Sequence, residues 1–160
     1  MAAIAPLQTA EDRLVKFGIH LPEAPTPFGA YVEAVQTGNL LFLSGMLATS
    51  GQTVTVSGIV GKDVDVNTGR QAARTAATNG LAVAKKHLGS LNRISRVVRL
   101  GVYLAAAGGF SEHAKVADGA SELLRDVLGE HTVSSRLVIG VATLPLGSPV
   151  ELEIILEVTP

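Results

Sequence analysis

The chemistry-bearing residues gather in one stretch, Ser134 to Glu157, "SSRLVIGVATLPLGSPVELEIILE". Most of it is apolar and strand-like, yet Arg136 opens the first run and Glu151, Glu153 and Glu157 alternate through the second. A lone cation in a sheet is costly unless it is paired or holds an anion. A guanidinium suits two-pronged capture of a carboxylate. By default such an arginine is one half of a structural salt bridge.

Other residue types offer less. His20, His87, His113 and His131 show no paired spacing of the kind metal sites use. Cysteine is absent, which removes thiol catalysis, disulfides and Cys-ligated metals together. Ser44 in "SGMLATSG" has no histidine placed by sequence to activate it. It reads as a small polar residue closing a strand. Lys85 and Lys86 close a helix, where cations complement the dipole. There is neither a G-x-S-x-G nor a P-loop.

Elements that position these groups follow from periodicity. Val150, Leu152, Ile154, Leu156 and Val158 share one strand face, and Glu151, Glu153, Ile155 and Glu157 share the other. In the preceding strand Leu137, Ile139 and Val141 form one set, and Arg136, Val138, Gly140 and Ala142 the other. Arg136 and the glutamates are therefore expected on one helix-free face, mixed with small and apolar residues, a composition suited to a subunit interface holding a site. Were 136–142 and 150–158 a simple hairpin about Leu144–Pro149, Arg136 would oppose a residue near 157. Glu151 would then lie roughly 20 Å away along the strand. The two cooperate only if the strands are not hairpin partners or if they meet across a subunit boundary.

Upstream, "TAEDRLVKFG" reads as a short helix with Thr9 as cap, Asp12 three residues on and Gly18 at its end. A proline-rich connector follows. "AYVEAVQTGNLLFLSG" reads as a hairpin, with strands over 31–36 and 40–44, and "TVTVSGIVG" as a third strand. Residues 67–88 form an Ala-rich helix, which Gly80 weakens by about 1 kcal/mol relative to Ala. "ISRVVRLGVYLA" is a strand, and a second helix ends at Gly129. The order predicts an α+β two-layer sandwich: a six-stranded mixed sheet with two helices on one face and an extra N-terminal helix.

With 160 residues the chain is expected to be one domain over 1–160, residues 1–27 being the N-terminal helix and connector. It is 47% hydrophobic and only 17% charged, against about 25% charged for an average domain, so surplus apolar surface is expected between subunits. The net charge of −1 and the lack of a basic stripe argue against nucleic acid as a partner. No run approaches the roughly eighteen apolar residues of a membrane span. The N-terminus does not read as a leader, and a cytoplasmic location is the expectation.

Three segments in order, "FGAYVEAVQTGNLLFLSG", "LNRISRVVRLGVYL" and "SRLVIGVATLPLGSPVELEI", resemble the Rid family of reactive-intermediate deaminases, also called YjgF or L-PSP. The likeness covers about residues 28–158. Its sharpest element is an arginine nine residues before a Leu-Pro proline, followed by a strand of alternating glutamates. The N-terminal helix and "KVADGASELL" look like a divergent, RidA-like branch.

The resemblance implies a chorismate-mutase-like fold assembled as a homotrimer, sheets facing inward and clefts between subunits. It implies hydrolysis of 2-imino or enamino acids to 2-keto acids, without metal or organic cofactor. Arg136 matches the arginine that binds the substrate carboxylate, and Glu151 the glutamate that positions or activates water. Tyr31 matches an aromatic lining the cleft. Ser44 and Gly45 match a strand end whose backbone meets the ligand, and Val138 another backbone contact. Met46 stands where a glutamine is common, Asp118 near a common asparagine, Val138 at a frequent cysteine, and Ala30 at a common proline. The alternatives to a deaminase are a trimeric carboxylate-binding protein without turnover, or an endoribonuclease-like activity.

Overall fold

Thr9 caps the first helix as its spacing from Asp12 predicts. In the computed structural model, which describes residues 8–160, helix α1 spans Ala10–Lys16. The Thr9 hydroxyl accepts from the Asp12 N–H at 3.2 Å, and the Asp12 carboxylate accepts from the Thr9 N–H at 3.1 Å. Glu11 ties α1 to the body of the protein, accepting from the Leu91 N–H at 3.0 Å and from Lys85 Nζ at 2.8 Å. Burial pushes the Glu11 carboxyl up, but Lys85 and the Leu91 N–H together hold it below its ordinary range. The reading of the N-terminus as lacking a leader rests on residues 1–14, of which residues 1–7 lie outside the described residues.

Strands β1 (Ala34–Thr37) and β2 (Leu40–Leu43) form the expected hairpin, Thr37 pairing with Leu40. Gly38, with φ of 58°, makes the tight turn between them. Two short pieces, β3 (Met46–Leu47) and β4 (Thr49–Ser50), come next, and of the third strand read at "TVTVSGIVG" only the two-residue β5 (Thr53–Val54) forms. Gly51 at φ 59° folds β4 back onto β5, and the backbone never extends long enough for a full strand. Then follow α2 (Val66–Leu88), β6 (Ile94–Ala105), α3 (His113–Leu128), β7 (Ser135–Val141) and β8 (Val150–Val158).

The main sheet runs β1-β2-β8-β6-β7, with β3 also paired to β8. Strands β6 and β7 are parallel, joined by the crossover through α3; the other pairs are antiparallel. So β7 and β8, consecutive in the chain, are not hairpin partners: β6 lies between them. Helices α2 and α3 pack on one face. There Leu100, Val102, Leu104, Leu152, Ile154 and Leu156 are buried against Ala72, Ala73, Ala76 and Ala77 of α2.

Small residues set the spacing of this layer. Gly80 of α2, weak as a helix former, leaves no room for a side chain: a Cβ would sit 2.8 Å from Ile154 Cδ1. Gly119 of α3 lies directly on the Arg70 carbonyl of α2, so a methyl group there would strike main chain rather than a movable side chain. Gly119→Ala is accordingly expected to destabilise the fold by about 1–3 kcal/mol, the cost of overpacking a rigid contact. A urea midpoint shifted by less than the measurement error would show that the helices separate freely.

Candidate functional site

The alternating glutamates of β8 are not equivalent. On the helix-free face Glu157 is met by Arg96 Nε at 3.1 Å and by Asn39 Nδ2 at 3.1 Å. Glu153 is met by Arg99 Nε at 3.4 Å and accepts from Tyr103 Oη at 3.2 Å. Glu151, opposite Tyr103 on β6 and Leu47 on β3, has no ion-pair partner among the described residues. It is partly buried, and that burial pushes its carboxyl above the ordinary range. Two of the three carboxylates thus serve the sheet, and the third is left without a counter-charge.

A cleft opens at the end of β2, and Glu151 lies behind one of its lining residues, Gly45. Gly45 has no Cβ, and one built there would run into the Glu151 carboxylate. The cleft is walled by Pro25, Pro27, Phe28, Tyr31, Ser44 and Gly45. The connector that read only as a turn-rich link therefore supplies one wall. Tyr31 is 47% exposed, and its hydroxyl accepts from the Phe28 N–H at 3.0 Å, fixing the ring. Ser44 Oγ donates to the Val32 carbonyl at 2.6 Å, so its proton is committed to the backbone, as a structural strand-end serine requires. Met46 borders the cleft, but its side chain is buried against Gly80 in the core.

Arg136 stands elsewhere. Parallel register pairs Arg136 with Leu100, Val138 with Val102 and Gly140 with Leu104, all three β6 residues belonging to the buried set. Arg136, Val138 and Gly140 therefore face the helices, not the open face. The expectation that Arg136 and the glutamates share one face is overturned. Instead Leu137 and Ile139 point outward, 42% and 39% exposed. Because β7 is the sheet's rim, Arg136 reaches past α3 toward solvent. Its Nη1 donates to Asp118 Oδ1 at 2.7 Å and to Ser121 Oγ at 3.0 Å. Beside it lies a cavity of 180 Å³ bordered by Val97, Ser121, Leu124, Arg125 and Val133. Val138 packs partly into the core.

Within one chain the named residues thus form two groups. Tyr31, Ser44 and Gly45 border the cleft at the β2 end, with Glu151 against Gly45. Arg136 and Asp118 meet at the β7 rim with Ser121. Arg136 is level with Ile154 through Leu100, and Glu151 is three residues further along and two strands across. Their α-carbons are roughly 14 Å apart on strand spacings alone, with side chains on opposite faces. Ser121 went unremarked in the sequence; its signal is the i+3 spacing from Asp118 on one helix. Among the described residues no group of three or more His, Asp or Glu side chains is placed to hold a metal ion.

The family model described as "YjgF/chorismate_mutase-like, putative endoribonuclease" matches residues 11–158. The chain belongs to the YjgF family. It is 35% identical over 158 residues to a Trypanosoma cruzi protein called TCP17, covering 98% of each chain. It is 30% identical over 140 residues to a 2-iminobutanoate/2-iminopropanoate deaminase of Dermatophagoides farinae, covering 88% of this chain and 94% of that one. A crystal structure from Agrobacterium tumefaciens, of unknown function, superposes with a TM-score of 0.86 at 39% identity, over 94% of this chain and 92% of that one. The YjgF-like two-layer fold is therefore the fold of this chain, and both deaminase and endoribonuclease names occur at family level. No helix among the described residues is long and apolar enough to cross a membrane.

Proposed function

We propose that this chain hydrolyses small 2-imino or enamino acids to 2-keto acids and ammonia, as a homotrimer whose clefts lie between subunits. The observation that carries the reading is Glu151. Among the described residues it alone of its row lacks a cation, burial raises its carboxyl, and it lies against Gly45, which lines a cleft edged by Tyr31. A carboxylate so placed has lone pairs free for a water. In the reaction Glu151 takes a proton from that water as its oxygen bonds to the imine carbon. The C=N π pair goes to nitrogen, which takes that proton. The C–N bond of the resulting carbinolamine then breaks as its hydroxyl proton is carried to the leaving nitrogen, so that ammonia departs and the oxygen becomes the keto C=O. Arg136 holds the substrate carboxylate.

The two groups cannot act on one small molecule within a single chain, so the reading requires a second copy. The rim of one copy, carrying Arg136, would meet the Tyr31–Glu151 cleft of another. Exposed Val35, Phe42, Leu137 and Ile139 on the helix-free side supply apolar surface for that contact. Light scattering at micromolar concentration is expected to return a trimer; a monomer would leave each cleft without its arginine and overturn the site. The activity itself is tested by generating 2-iminobutanoate in the assay with an amino-acid oxidase. Accelerated ammonia release over the uncatalysed rate is expected, and its absence for several imino acids would refute the reading.

One observation favours a second reading, ligand binding without turnover: Arg136 already has a carboxylate neighbour in Asp118. Keto-acid binding by calorimetry without any acceleration of imine hydrolysis would decide for it. For an endoribonuclease the net charge of −1 gives no support.

A further inference from the structure

Arg136 is only half used by its own chain. Its Nη1 meets both Asp118 Oδ1 and Ser121 Oγ. Among the described residues nothing is hydrogen-bonded to Nε or Nη2, or to the second oxygen of Asp118. The Nε–Nη2 edge is the fork that takes a carboxylate with two parallel hydrogen bonds. The side chains remain 26% and 42% exposed for Arg136 and Asp118, so a small molecule can reach both.

A carboxylate docked on that edge would leave two anions on one cation. A plain 2-keto acid therefore meets a site whose charge is already balanced, and adds an uncompensated negative charge beside Asp118. A ligand with a positive nitrogen on the carbon next to its carboxylate brings its own compensation: the carboxylate goes to Arg136 and the nitrogen's field offsets Asp118. A 2-imino acid protonated at nitrogen has this charge pattern, and so does a 2-amino acid. The keto-acid product does not.

We infer that Asp118 is a specificity-determining residue that makes the Arg136 site select zwitterionic 2-imino or 2-amino acids over 2-keto acids. The inference rests on the reading of Arg136 as the carboxylate anchor. It gives the internal ion pair a purpose: the pair discriminates the substrate from its own product by charge, and so favours product release. Ser121, accepting from Nη1, keeps its own hydroxyl proton available for a bound carboxylate or for Asp118.

The test uses the 160-residue chain and two ligands of one carbon skeleton, 2-aminobutanoate and 2-oxobutanoate, by calorimetry at neutral pH and low salt. Wild type is expected to bind the amino acid at least about fivefold more tightly. High salt should narrow that preference, because both charges are exposed. Asp118→Asn keeps the shape and a hydrogen-bond acceptor for Arg136, and thermal melting checks its fold. It is expected to shrink the preference at least about fivefold, chiefly by tightening 2-oxobutanoate. An unchanged ratio of dissociation constants in Asp118→Asn, with binding of both ligands lost in Arg136→Ala, overturns this inference and leaves the anchor standing. Undiminished binding of both in Arg136→Ala overturns the anchor, and the inference with it. Failure of wild type to bind either acid at millimolar concentration does the same.

Discussion

Arg136→Ala is expected to weaken binding of carboxylate ligands at least thirtyfold while the protein stays folded and assembled. Removing one partner of a desolvated charge pair costs about 2–5 kcal/mol, and the lower end corresponds to roughly thirtyfold. The lower end is the appropriate one, because Asp118 already occupies Nη1 and a ligand gains only the remaining edge. The fold should scarcely notice. The Arg136–Asp118 pair is solvent-exposed on both members, and such pairs contribute about 0–1 kcal/mol after screening. Arg136→Lys should restore only part of the affinity, since an ammonium keeps the charge but not the planar fork. Calorimetry beside thermal melting separates the cases. Loss of fold or assembly in Arg136→Ala would make the arginine a structural ion-pair member. Unchanged affinity would remove it from the site.

How much of this was legible in the sequence depends on whether a feature is local. The capping box of Thr9 and Asp12, the Ala-rich helix, the turn at Gly38 and the strand at 94–105 depend on near neighbours, and each was readable. The face of Arg136 was not. In β7 both alternating sets are apolar apart from the arginine and the terminal Ser135, so hydrophobicity does not say which points inward. The register is set instead by where the α3 crossover delivers the chain beside β6. Polarity suggested that Arg136 faces out, yet a rim strand lets a long side chain lie on the helix side and still reach water. The difference between Glu151 and its neighbours was hidden for the same reason. Arg96 and Arg99 become partners of Glu157 and Glu153 only once β6 lies beside β8. Asp118, which the resemblance marks only as standing near a common asparagine, is ion-paired with Arg136. The two are joined by packing of α3 on the sheet rim, which no spacing in the chain encodes.

Glu151→Gln is expected to lower turnover by about a hundred- to ten-thousandfold, the usual range for losing a general acid–base group. Binding of an inert keto acid should change little, because the anchor lies on Arg136. The pH profile supplies the sign. As a base Glu151 must be ionised, and burial has moved its titration above the ordinary carboxylate range. Wild-type turnover should therefore rise with pH through that raised value, and the acidic limb should be missing from whatever activity the glutamine variant retains. Stability should move the opposite way. A carboxyl whose pKa is raised on folding contributes its stability below the unfolded value and loses it as pH climbs through the folded one. At neutral pH the wild type thus carries an ionised, partly buried group without a cation, and glutamine relieves it. The variant should melt no lower than wild type at neutral pH, and slightly higher, while losing turnover. A variant that instead melts markedly lower would show Glu151 to be held by the fold as an ion-pair member like Glu153. The unpaired carboxylate would then have no claim on a water.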